Sequence, residues 1–420
     1  MKILQIHNKY RPAWGGEDTV VQLEADLLRR HGHEVDCLSV WTGELNGAGV
    51  ARLLAAALGT TWSFRGYSAV KKAIRRHSPD ILHVHNTFPL LSPSIFWAAA
   101  HEGVPVVQTL HNFRLTCANA LLLRKGEPCQ KCVGHFPWPA LRHRCYRQSF
   151  WQTVAVASTN VVHRWLSTFQ TKVHAYIALT EFSREILVRS GLPHDRIFVK
   201  PNFNLDPGAP VNSRRPRIVF AGEITRPKGV HLLLEAWSSL APAGYQLMML
   251  GDGPDRAELE RRHSGDSGVL WCGVQSREKV IETVGTSRWL VLPSLAYENF
   301  PMSVLEALSV GTPVIVPDHG AFAAMVSDTK EGLFFSPREA TSLARTLRRA
   351  LHATETDWAQ WSSNARDRYL REYTDQANYP QLMSIYRQAA MCFQATRTQA
   401  TRTRSTKAVA PATGLEGRDS

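Results

Sequence analysis

Two series of short runs rich in Ile, Val and Leu, each run followed by an amphipathic stretch, constrain this chain more than any other feature. In the first series KILQIH (2–7), HEVDCLSV (33–40), ILHVH (81–85), VPVVQTLH (104–111), AYIALT (175–180) and RIFVK (196–200) alternate with helical spacing at 17–31, 67–77, 92–102, 149–168 and 181–190. The second series comprises RIVFAG (217–222), QLMMLG (246–251), VLWCG (269–273), WLVLPS (289–294) and PVIVPD (313–318), again with helical stretches between them. A strand that is apolar almost throughout is buried on both faces, and strands separated by helices pair in parallel. The fold class this predicts is α/β, as two Rossmann-like doubly wound domains facing a cleft.

The stretch PNFNLDPGAPVNSRRP (201–216) interrupts the alternation with Pro, Asn and polar residues and reads as an interdomain linker. We therefore expect a first domain over 1–203 and a second over 204–374, with ligand bound between them, as is usual for doubly wound sheets. The periodic stretch 375–395 is expected as a helix crossing back to the first domain, and the apolar-poor 396–420 as a disordered tail.

Charge is divided unevenly. The net charge is +13 over 420 residues; residues 1–205 hold 24 Lys and Arg against 13 Asp and Glu, and residues 206–420 hold 25 against 23. A basic half beside a nearly neutral one suggests that the first domain faces an anionic partner. No window reaches the roughly 18 apolar residues of a spanning helix. The opening MKILQIHNKYRP is broken at Gln5 and His7 and lacks the apolar core of a secretory signal. The expectation is a cytoplasmic protein, soluble or peripheral at the inner face of the cell membrane.

Several residues stand where chemistry is done in such folds. Gly15 and Gly16 fall on the loop between the first strand and its helix, where glycine permits close backbone approach and the helix start offers N–H groups to an anion. In the second domain, RIVFAG leads through Gly222 into EITRPKG, so Lys228 precedes the next helix, placed to meet a phosphate. In PSLAYENFPMSVLEALSVGTPVIVPDHG (293–320), Glu298 lies on a loop and Glu306 inside a helix that opens near Pro301. Free N–H groups near Met302 and Ser303 suit a phosphate, and a carboxylate one turn further suits a ribose diol.

In their order along the chain, these segments resemble the retaining, nucleotide-sugar-dependent glycosyltransferases of family four, which have the GT-B fold. The Gly15–Gly16 loop, the stretch ending at His111, GEITRPKG, LGDGP (250–254) and the E-x7-E pattern followed by GTPVI carry the likeness. The resemblance implies that Glu298 lies beside the donor sugar and Glu306 binds the nucleotide ribose. It further implies that Asn299, Phe300, Met302 and Ser303 contact sugar and diphosphate, that His111 stands near the reacting sugar, and that Lys228 neutralises the leaving diphosphate. One position departs from the pattern: Glu223 follows Gly222 where the family has arginine, and Arg226, three residues later, is the candidate substitute. No D-x-D-like carboxylate pair stands out, and no cofactor is expected for catalysis.

Four of the seven cysteines, Cys117, Cys129, Cys132 and Cys145, fall within 112–147. In a cytosolic chain this spacing reads as a structural thiolate metal site, zinc first and an iron–sulfur cluster second, with free or redox-active thiols as the alternative. Aromatic and basic residues in the same insert suggest an acceptor-side lid touching a lipid surface. The partners implied are a nucleotide-sugar donor, a glycan or lipid-linked acceptor of the kind used in bacterial surface polysaccharides, and an anionic membrane surface. Two other readings are a nucleotide-sugar epimerase of the same fold and a basic, metal-containing nucleic-acid-binding protein. Against the second, the cysteine spacing matches no recognised finger and the basic residues are scattered over many elements, so no nucleic acid is expected.

Overall fold

The computed structural model describes residues 1–9, 16–45, 58–208, 213–240, 244–266 and 268–408, with side chains to 399. Gly15 lies outside the described residues. The first sheet holds β1 (Lys2–Lys9), β2 (Glu34–Trp41), β3 (Ile81–Val84), β4 (Val106–Thr109), β7 (Ala175–Ala178) and β8 (Ile197–Val199) in the order β2-β1-β3-β4-β7-β8, all parallel. An antiparallel hairpin of β5 (Leu123–Arg124) and β6 (Glu127–Pro128) lies in the insert. The second sheet holds β9 (Arg215–Ala221), β10 (Gln246–Leu250), β11 (Val269–Gly273), β12 (Ser287–Val291), β13 (Val314–Pro317) and β14 (Gly332–Phe335) in the order β11-β10-β9-β12-β13-β14. The last of these was not anticipated: GLFF is a short run at the sheet edge, too brief for periodicity to reveal.

Burial explains the strand pattern. Ile81–Val84, Val106–Thr109 and Ala175–Ala178 are buried at every position, because helices cover both faces of a parallel sheet. In each sheet the chain goes one way from its first strand and later returns to build on the other side. The switch points lie between β1 and β3 and between β9 and β12. Crevices open beyond the carboxyl ends of strands at such points. The segments after β9 and β12 carry Gly222, Lys228 and Glu298, and His111 follows β4.

Two boundaries differ from expectation. Gly16 is the first residue of the helix Gly16–Arg30 instead of part of the loop before it, and the C-terminal helix runs from Asp375 to Ala408, past the expected end at 395. Its Thr- and Arg-rich continuation lacks an apolar face but contains no helix breaker. Near its start the helix crosses to the first domain, where Tyr379 hydroxyl meets His33 Nε2 at 2.8 Å and Tyr386 hydroxyl meets His83 Nδ1 at 2.9 Å. No helix among the described residues is long and apolar enough to cross a membrane.

Candidate active site

A cavity of about 260 Å3 opens between the two switch points. It is lined from the first domain by Gly16, Glu17 and His111, and from the second by Gly222, Lys228, Glu298, Phe300, Met302 and Ser303. The domains approach closely here: a methyl group built on Gly16 would stand 3.3 Å from Met302 Cγ. Of the expected site residues, Arg226, Asn299 and Glu306 do not line this cavity. Arg226 is on the short turn Arg226–Lys228, which presents Lys228 to the cavity. Among the described lining residues, Lys228 is the one lysine or arginine. Glu223 does not line the cavity either.

The Lys228 turn requires glycine at its end. Gly229 has φ of 70°, and a side chain there would collide with the Pro293 carbonyl. That contact fixes the turn against the loop carrying Glu298. Lys228 Nζ donates to Glu298 Oε1 at 2.7 Å, and Ser294 Oγ donates to the same oxygen at 2.7 Å. Burial alone would raise the Glu298 carboxyl, but Lys228 and Ser294 outweigh it and hold it below the ordinary value. An ionised carboxylate therefore faces the cavity.

The helix Met302–Ser309 follows Pro301, which serves as its N-cap instead of its first residue and supplies no side-chain cap. The N–H groups of Met302 and Ser303 precede the first intrahelical bonds and lie at the cavity wall. Glu306 is buried one turn further, where Arg277 Nε donates to its Oε1 at 2.9 Å. Burial raises its carboxyl, with Arg277 opposing that effect. Asn299 points across the cleft: its Nδ2 donates to the Leu110 carbonyl at 2.5 Å, and Ser183 Oγ donates to its Oδ1. Its side chain is thus committed to joining the domains.

Behind His111 lies a buried polar chain that sequence reasoning missed. His85 Nδ1 and His111 Nε2 are 3.0 Å apart, and His85 Nε2 is 3.5 Å from Glu24 Oε1. Glu24 also meets His83 Nδ1 at 2.9 Å and Lys200 Nζ at 3.4 Å. Burial opposes charge on Glu24, yet His83 and Lys200 hold it well below the usual carboxylate range. Burial pushes His85 down to about 3 and His111 well below the ordinary imidazole value, so both rings are neutral at physiological pH. His85 Nε2 makes no hydrogen bond, but the Glu24 carboxylate beside it favours the ring proton there; His85 Nδ1 then accepts from His111 Nε2–H, which leaves His111 Nδ1 an acceptor. The signal was available: Glu24 shares the buried helix face with Val20, Val21, Leu27 and Leu28, and His83 and His85 lie two apart on one strand path.

Glu17 is a further cavity residue that sequence reasoning passed over as a helix start. Desolvation, reinforced by Asp18, pushes its carboxyl up to about 8. A second cavity of about 50 Å3 adjoins the first through His111 and is lined by His85, Asn86, Phe88, Arg114 and Asn160. Glu24, His83 and His85 are the one group of three or more His, Cys, Asp or Glu among the described residues whose ligand atoms all lie within 4.8 Å of one another. The four insert cysteines do not converge that closely, although all four line one small cavity.

Two Rossmann-like domains closing on a cleft, with a cation, a carboxylate and an open helix start on one side and a histidine opposite, define a GT-B glycosyltransferase. The model of Glycosyltransferase Family 4 matches residues 14–203, and that of Glycosyl transferases group 1 matches residues 204–368. An alpha-D-kanosaminyltransferase of Streptomyces kanamyceticus is 25% identical over 338 residues, covering 76% of this chain and 80% of that protein. Among solved structures, Anabaena HepE in complex with UDP-glucose superposes with a TM-score of 0.63 at 16% identity, covering 94% of this chain and all of that one. The lipopolysaccharide outer core galactosyltransferase WaaB superposes with a TM-score of 0.61 at 17% identity, covering 92% and 99%. The chain belongs to the family-four glycosyltransferases and is a hexosyltransferase-type enzyme.

Proposed function

We propose that this enzyme transfers a sugar, with retention of anomeric configuration, from a nucleoside diphosphate sugar to a lipid-linked glycan during assembly of a bacterial surface polysaccharide. The observation that carries the donor reading is the Lys228–Glu298 pair at the mouth of the open helix start, opposite His111 in one cavity. Cleavage of a sugar–phosphate bond develops positive charge at the anomeric carbon and negative charge on the departing diphosphate. Lys228 and the N–H groups of Met302 and Ser303 meet the second, while the Glu298 carboxylate favours the first. Glu306, one turn along the same helix, takes the ribose hydroxyls. His111 Nδ1 accepts a hydroxyl of the transferring sugar.

Lys228 is the one lysine or arginine among the described lining residues, so the helix amides carry more of the leaving-group charge than a two-cation clamp would require. An acceptor hydroxyl arriving from the second cavity meets the same face of the sugar that the diphosphate leaves. The leaving phosphate oxygen then takes its proton. The exposed rings of Phe136, Trp138, Trp151 and Trp165, beside the basic insert, support an acceptor presented at an anionic membrane surface. UDP-glucose bound to HepE and the lipopolysaccharide role named for WaaB favour the same substrate classes. Proton NMR of the first product from a nucleotide-sugar screen tests the reading. An anomeric coupling unchanged from donor to product supports it, and inversion contradicts it.

A further inference from the structure

We propose that Cys117, Cys129, Cys132 and Cys145 bind one structural Zn2+ ion that holds the insert in place against the second cavity. The four residues come from three separate pieces of chain: the turn after Phe113, the loop after the β5–β6 hairpin, and the segment following the short helix Trp138–Arg142. All four nevertheless line a single cavity of about 20 Å3, and all four are reduced. The space suits a single ion, and because the sulfurs stand further apart than a tetrahedral site holds them, binding draws them inward.

The charge of the insert favours bound thiolates. Residues 112–147 hold seven Lys and Arg against one acid, Glu127. Four thiolates around Zn2+ carry a net charge of −2, and this surplus of cations offsets it. Binding replaces four S–H bonds with four Zn–S bonds and releases four protons to solvent.

The insert needs such a fastening. Its described secondary structure is a two-residue hairpin and the helix Trp138–Arg142. Ala120, Leu122, Lys125, Arg144, Arg147 and Gln148 all have positive φ, a conformation that persists only where surrounding contacts impose it. Function depends on the result, because Tyr146, next to Cys145, and Phe88 flank the Arg114 guanidinium at 5.5 and 4.2 Å, and Arg114 lines the second cavity beside His111.

Elemental analysis of full-length protein, purified without a metal-affinity tag, tests the site. One zinc per chain is expected in the wild type and in Cys37→Ser and Cys272→Ser, whose sulfurs lie outside the insert. Its loss is expected in the double variant Cys129→Ser/Cys132→Ser. Should that variant fail to fold, cobalt exchanged into the wild type reads the site directly, through the intense visible absorption of a tetrahedral tetrathiolate. Iron in place of zinc would overturn the proposal. So would a metal-free protein whose insert thiols alkylate as fast as Cys37, a cobalt spectrum without thiolate bands, or zinc retained in full by the double variant.

Discussion

Glu17 shows how much of this site depends on environment. Its carboxyl, ordinarily near 4.5, is pushed to about 8 in the folded protein. Between those values the native state keeps a proton that the unfolded chain has lost, so its contribution to stability falls as pH rises from about 4.5 to 8. Urea midpoints measured near about pH 5 and about pH 8 should drop more in wild type than in Glu17→Gln. Equal drops would contradict the assignment. The site residues themselves were legible unevenly. Lys228, Glu298 and His111 were readable because motifs in a fixed order carry them, and all three line the cavity. Arg226 was chosen by proximity in sequence, which says nothing of direction on a tight turn. Glu24, His83 and His85 escaped because a buried polar residue registers in a hydrophobic pattern only as a missing apolar one.

At the scale of elements, strands were readable wherever burial on both faces makes them continuously apolar. The short edge strand Gly332–Phe335 and the hairpin of the insert, whose contacts are not periodic, were not. The helix past 395 was missed because sequence periodicity marks an apolar face, and this Thr- and Arg-rich stretch has none to mark. Gly229 is where one residue controls an element. Gly229→Ala places a methyl group against the Pro293 carbonyl at φ of 70°. We expect a loss of about 2 kcal/mol or more, together with weaker nucleotide binding as Lys228 is displaced. Chemical denaturation and nucleotide titration measure the two effects; an unchanged midpoint would show that the loop relaxes freely.

Over the whole molecule, the two domains meet through apolar contacts, such as Tyr297 against Phe182 and Leu123 against Leu295, and through polar ones across the cleft. Asn299 binds the Leu110 carbonyl and Ser183, Arg338 of the second domain pairs with Glu127 of the insert, and the C-terminal helix ties back through Lys200 and Asn378 at 2.9 Å. Asn299→Ala removes one such tie and leaves a buried carbonyl without its donor, at about 1–3 kcal/mol. Small-angle scattering should then report a larger radius of gyration in the absence of donor, restored when nucleotide sugar is added. An unchanged radius would mean that Asn299 does not hold the domains together.

The proposed division of labour between the domains rests on the same geometry. The residues proposed for the donor, Lys228 and Glu298 at the first cavity and Glu306 buried one helical turn behind it, belong to the nearly neutral second half, while the basic first half carries His111, the second cavity and the insert. The most direct test is calorimetric titration of nucleoside diphosphates and their sugars into wild type, Lys228→Ala and Glu306→Ala. Wild type should bind at least one nucleoside diphosphate. Each variant, having lost a charged partner worth about 1.5–3 kcal/mol, should bind it about ten- to a hundredfold more weakly while keeping its fold. Wild-type affinity in both variants, or no binding of any nucleoside diphosphate by the intact protein, would contradict the account.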